Sequence, residues 1–139
     1  MDERQRHLDI TRRWFTEGWL TNVSLADEFF SPDLITNGVR VGIDGPKKRI
    51  LKRRNGFPDL ITDNQLLHAD GDIVAIHLLW RGTHTGPYGG AEPSGKPVEI
   101  SDIAIWRFEN GRVAEIRTVQ DQFGLLAQIG YLPDTLYAV

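Results

Sequence analysis

The chain has 139 residues, of which 40% are hydrophobic and 25% charged, and its formal net charge is −3. This length and composition predict one globular domain over residues 1–139. The charge gives no global electrostatic reason to expect a nucleic-acid partner. The sequence contains no cysteine, which excludes disulfides, thiolate metal sites and cysteine nucleophiles.

The first half of the chain has mostly helical spacing. Asp2–Trp19 predicts an amphipathic helix with one apolar face. Ser24–Phe30 predicts a short helix that the following Ser-Pro-Asp ends. Leu34–Val41 predicts a short strand, and Gly45–Asn55 predicts a third helix whose basic side chains point outward.

The second half changes to strand periodicity. Leu60–His68 and Asp72–His84 predict two strands joined by a hairpin. Thr85–Pro97 is rich in glycine and proline and predicts a loop. Val98–Phe108 and Arg112–Gln120 predict two further strands, joined at a favoured Asn-Gly turn. Helices followed by a four-stranded antiparallel meander predict an α+β fold, in which a curved sheet folded over helices leaves a cone-shaped cavity.

Strand alternation selects the polar groups expected to face that cavity. On Val98–Phe108, the face that carries Asp102 is otherwise apolar. The same alternation puts Arg117 and Asp121 on one face of the last strand and His84 on the second strand. These four side chains could therefore converge, and a carboxylate in an apolar pocket is a natural general base.

Each acid also has a purely structural interpretation. Asp102 and Arg117 could form an ion pair between neighbouring strands. Asp121 could cap the segment that begins at Gln122. The sequence leaves these alternatives open.

Other motifs give weaker predictions. Trp14, Trp80 and Trp106 could line the site of a flat polycyclic ligand, or they could simply belong to the core. The basic run over residues 47–54 could steer an anion, but without interleaved aromatic residues it favours a solvated helix face. The four histidines show no HExxH motif or close pair, so no metal site is expected.

Location and assembly are also predicted. No run of 18 apolar residues occurs, so no membrane partner is expected. The charged N-terminus lacks the apolar core of a secretory signal, and together with the absence of cysteine this favours a cytoplasmic location. Ile103 and Ile105 point away from the predicted pocket, which predicts burial against a second copy of the chain.

Eight segments spread over nearly the whole chain form a set: FTEGW, SPDLI, GIDGPKK, GFPDL, GTHTG, PSGKPVEI, IAIWRFENGRVAEI and DQFGLLAQIG. Together they resemble the SnoaL-like polyketide cyclases of the NTF2-like superfamily. The resemblance implies an α+β barrel with a cone-shaped pocket and a hydrophobic small-molecule substrate. It also implies a homodimer or homotetramer that needs no metal or cofactor.

The resemblance also implies residue roles. Family cyclases close a polyketide ring by intramolecular aldol addition, using an Asp at the end of the last strand that Asp121 matches. Arg117 resembles an Arg four residues earlier in some cyclases, and His84 matches the histidine of GTHTG. Asn37 lies near a polar pocket position. Asp121 would take a proton next to a carbonyl, and one of the other three would bind the enolate oxygen.

One position departs from the family pattern. The cyclases carry a polar residue and a histidine two apart on the third strand, where this chain has Asp102 and Ala104. Two alternatives to a cyclase follow. One is a hydrolase of the limonene-epoxide type, using Asp102, Arg117 and Asp121. The other is a non-catalytic small-molecule-binding protein.

Overall fold

A computed structural model describes residues 1–132. Its helices are packed on one face of a curved sheet, and the α+β prediction is confirmed. The helices are α1 (Glu3–Arg13), α2 (Ala26–Phe29), α3 (Asp44–Gly56) and α4 (Gln122–Gln128), and the strands are β1 (Phe30–Thr36), β2 (Val39–Arg40), β3 (Ile61–Asp70), β4 (Ile73–Thr83), β5 (Pro97–Glu109) and β6 (Arg112–Gln120). Of the described helices, none has both the length and the apolar character needed to cross a bilayer.

The sheet has six strands in the order β2-β1-β6-β5-β4-β3. The predicted meander of β3 to β6 is present and antiparallel. The predicted strand Leu34–Val41 is instead parts of two strands, because Asn37 and Gly38 both have positive φ and form a tight turn. Strand β1 then pairs parallel with β6, which adds a hairpin to the sheet edge.

The first helix continues into a π-helical turn that requires a glycine. Asp2 caps α1 by accepting a hydrogen bond from the backbone N–H of Gln5 at 2.8 Å. Beyond Arg13 the chain widens into a π-helical turn over Trp14–Gly18. A Cβ at Gly18 would lie 2.2 Å from Trp14 Cε3, so only glycine lets the Trp14 ring pack against this turn. The turn thereby directs Trp14 and Phe15 toward the sheet.

Alternation on β4 and β5 follows the prediction. Every second side chain of β5 from Val98 to Phe108 is buried on the concave face, Asp102 included. On β4 the same is true from Val74 to Trp80. The concave face of the sheet is therefore the floor of the core, and Asp102 is a charged residue within it.

Alternation on β6 differs from the prediction because of a β-bulge. Arg107 pairs with Glu115 and Phe108 pairs with Val113, so Ala114 has no partner across the ladder. One extra residue reverses the facing of every later side chain. Ile116, Thr118 and Gln120 consequently lie opposite Trp106, Ala104 and Asp102, on the concave face.

Candidate functional site

A cavity of about 220 Å³ lies between the π-helical turn, α3 and the concave face of the sheet. Most of its wall is apolar and much of it is aromatic. The lining residues are Trp14, Phe15, Trp19, Thr36, Val41, Gly45, Pro46, Arg49, Arg53, Asp102, Ala104, Trp106, Ile116 and Thr118. A cavity of this kind suits a hydrophobic ligand that a few polar groups orient.

Asp102 is the carboxylate on the wall of this cavity. It is 5% exposed. Its Oδ1 accepts a hydrogen bond from the hydroxyl of Thr118 at 2.8 Å, and its Oδ2 lies 3.5 Å from Nη2 of Arg53. A buried carboxylate needs such partners, because burial without them is costly.

Arg53 carries the charge opposite Asp102. It is 2% exposed. Its guanidinium lies 4.8 Å from the ring centroid of Trp19 and 5.5 Å from that of Trp80, and it donates to Gln120 Oε1 at 2.5 Å. Burial, followed by the nearby charge of Arg49, lowers the pKa of Arg53 to about 10, and Asp102 opposes this change. Arg53 therefore remains a cation at neutral pH.

Arg49 is a second cation on the cavity wall. It lies one helical turn before Arg53 on α3 and is half-buried. Within residues 1–132, no carboxylate lies within 4.0 Å of its guanidinium. The polar part of the cavity thus combines two guanidinium groups with one carboxylate.

Three of the residues predicted from the sequence lie on the cavity wall: Asp102, Trp14 and Trp106. The two tryptophans also belong to the hydrophobic core, so the ligand and core interpretations both describe them. Trp14 packs edge-on against Phe30, and Trp106 packs against Phe15. Their rings are consequently fixed in place before any ligand enters.

Three other predicted residues lie outside the lining. Trp80 is fully buried. Its ring packs edge-on against Phe57 and lies 5.5 Å from the guanidinium of Arg53. His84 is fully buried, and its Nδ1 accepts a hydrogen bond from the backbone N–H of Ser94 at 3.1 Å, which closes the glycine-rich loop.

The third, Asn37, fixes the backbone of the wall. Its side-chain amide donates to the carbonyl of Thr118 at 3.1 Å and accepts from the N–H of the same residue at 2.9 Å. Asn37 is exposed, but it holds in place the residue that binds Asp102.

Of the four side chains predicted to converge in one pocket, Asp102 lines this cavity, whereas Arg117, Asp121 and His84 do not. The bulge at Ala114 turns Arg117 to the convex face, where its side chain is 63% exposed and 3.4 Å from Glu115. It therefore forms no ion pair with Asp102. The arrangement of Asp102, Arg117 and Asp121 expected for a hydrolase is not assembled.

Asp121 lies at the start of α4, directly after β6. Its Oδ1 accepts a hydrogen bond from the backbone N–H of Gly124 at 2.9 Å, so it caps the helix. Its own N–H donates to the carbonyl of Ser101. Asp121 does not line the cavity described above.

The sequence interpretation missed Arg49, Arg53, Trp19 and Thr118. The basic run was predicted to point outward, which is wrong for Arg53 and only partly right for Arg49. Residues 46, 49, 50 and 53 follow the spacing of one helix face, and Pro46 and Ile50 are buried on it. That spacing was the available signal for two inward arginines.

The chain resembles known proteins both in sequence and in fold. A family model described as SnoaL-like polyketide cyclase matches residues 9–129. No curated protein sequence matches the chain significantly. A candidate SnoaL-like polyketide cyclase from Jannaschia sp. CCS1 is 24% identical, with a TM-score of 0.82 over 96% of this chain and 99% of that one.

Two Streptomyces structures are also similar. IdmH of Streptomyces antibioticus, a candidate polyketide cyclase, is 25% identical, with a TM-score of 0.78 over 91% of this chain and 99% of that one. AclR of Streptomyces galilaeus, a candidate hydroxylase, is 27% identical, with a TM-score of 0.77 over 95% and 83%. With the family model matching most of its length, the chain belongs to the SnoaL-like polyketide cyclase family.

Proposed function

We propose that this protein is an acid/base enzyme that closes a ring in a hydrophobic ketone substrate by intramolecular aldol addition, with Asp102 as the proton-transfer group. The observation that carries the proposal is a buried carboxylate on the wall of an otherwise mostly apolar cavity. Membership of the family supports the reaction type, and the aromatic lining supports a flat substrate.

The proposed reaction has two proton transfers. Asp102 takes a proton from the carbon next to a carbonyl, and the resulting enolate attacks a second carbonyl of the same molecule. One carbon–carbon bond forms, and the new alkoxide takes the proton back from Asp102, so the group is restored. Arg53, 3.5 Å from that carboxylate, offers positive charge to the oxygen that becomes negative.

Asp102 is preferred to Asp121 as the base because of position. A general base must come within hydrogen-bond reach of the proton it removes. Asp102 lines the cavity, whereas the carboxylate of Asp121 caps α4. A binding protein without catalysis would use the same cavity but would not move a proton.

Proton transfer is measurable before the natural substrate is known. A naphthyl β-keto ester is incubated with the protein in D2O, and deuterium at the carbon between its carbonyls is followed by NMR. We expect exchange at neutral pD to be faster with protein than in buffer. Binding of the ester by calorimetry without any acceleration would contradict the enzyme and favour a binding protein.

We also expect the protein to be a homodimer or homotetramer. Ile103 and Val119 are direct cross-strand neighbours on the convex face, and they are 51% and 74% exposed. Ile105 continues this apolar stripe, and a second copy would remove it from water. Light scattering at micromolar concentration is expected to give at least twice 15.7 kDa. Val119→Lys should shift the mass toward the monomer, and a monomeric parent protein would refute the prediction.

A further inference from the structure

Arg49 differs from the other basic residues of α3. Lys47 pairs with Asp27 at 2.7 Å, Arg54 donates to the carbonyl of Trp19 at 3.2 Å, and Lys48 is exposed to solvent. Arg49 alone among these is half-buried on the cavity wall, with no carboxylate of residues 1–132 in range. Its guanidinium is available to a molecule inside the cavity.

The charge around the cavity favours an anion. Two arginines and one carboxylate leave an excess positive charge next to mostly apolar walls. Arg53 donates hydrogen bonds to Asp102 and Gln120, whereas Arg49 has no carboxylate of residues 1–132 in range. Electrostatic attraction is stronger in such a poorly solvated place than in water. An anionic ligand group at Arg49 would therefore balance the charge that the protein leaves unbalanced.

The aromatic walls of the cavity indicate the chemistry of the rest of the ligand. Three tryptophans and Phe15 line the cavity, and flat rings pack well against such surfaces. A guanidinium binds a carboxylate through two parallel hydrogen bonds, a geometry that a single ammonium cannot provide. We infer that the cavity takes a flat aromatic carboxylic acid, with the carboxylate held by Arg49 and the rings held between the tryptophans.

This inference names the substrate class of the proposed enzyme and so rests on that proposal, but binding can be measured without turnover. Calorimetry compares 2-naphthoate with its uncharged methyl ester. We expect the acid to bind at least about ten-fold tighter, because a hydrogen bond between charged groups is stronger than one to a neutral group. The preference should shrink as salt is added.

Two variants make the test specific. Arg49→Gln should bring the acid and the ester to equal affinity. Lys48→Gln removes the same charge from the neighbouring, exposed position and should keep the preference. Thermal melting checks that both variants fold, and Arg49→Lys should recover only part of the preference.

The outcomes separate this inference from the proposed reaction. Equal binding of acid and ester by the parent protein, no binding of either at millimolar concentration, or an unchanged preference in Arg49→Gln each overturns it. Faster deuterium exchange in the naphthyl β-keto ester, without a preference for 2-naphthoate over its methyl ester, would leave the reaction standing and this inference refuted. A preference for the acid without exchange would leave the inference standing and the reaction refuted.

Discussion

Replacing Asp102 by Asn is expected to lower the rate of deuterium exchange, and kcat once a substrate is known, by at least ~10²-fold. Asn has nearly the size of Asp and can still accept a hydrogen bond from Thr118, which now donates to Oδ1 at 2.8 Å. It cannot take a proton from carbon. Ligand binding measured by calorimetry should change far less than the exchange rate.

The matched comparison is Asp121→Asn. Asn caps a helix about as well as Asp, so if Asp121 acts only as the cap of α4, both exchange and stability should change little. If Asp121 is the base, Asp121→Asn should lose deuterium exchange and Asp102→Asn should keep it. Asp63→Asn, at an exposed position on β3, controls for loss of surface charge. Full exchange activity in Asp102→Asn would end the role proposed for this carboxylate.

The two acids show how far alternation can be used. On β5, pairing with β4 runs without interruption from Thr83 opposite Pro97 to Ile73 opposite Arg107. The facing of Asp102 therefore followed directly from its sequence position. On β6 the bulge at Ala114 reverses the facing, and a bulge depends on the partner strand rather than on local sequence. Arg117, which points outward, was consequently assigned to the wrong face, and the inward Thr118 was missed.

The parallel strand and the buried arginines were missed for other reasons. Strand β1 pairs with β6, about eighty residues away, and no local pattern encodes that contact. On α3, the basic composition concealed an inward stripe that includes Arg49 and Arg53. The spacing of residues 46, 49, 50 and 53 was the local signal for these arginines, but a basic run is more often a solvated face. The facing of Asp102 was known, but not that α3 lies above it.

Removing the cation from the Arg53–Asp102 pair is expected to destabilise the fold strongly. Arg53→Met would leave the Asp102 carboxylate buried with Thr118 as its remaining partner, and breaking a buried pair in this way typically costs about 3–5 kcal/mol. Urea denaturation gives the free energy of unfolding. The Met side chain is long and apolar, so it can still pack between Trp19 and Trp80.

The double variant Arg53→Met/Asp102→Asn tests whether the loss of stability comes from the unpaired charge or from altered packing. Adding Asp102→Asn to Arg53→Met removes the uncompensated charge, so the double variant should regain much of the lost stability. Lys48→Met, on the exposed side of the same helix, should change the unfolding free energy little. If the double variant loses as much unfolding free energy as the two single variants lose together, Arg53 and Asp102 are not energetically coupled. The aromatic rings around Arg53, rather than the ion pair, would then stabilise this part of the fold.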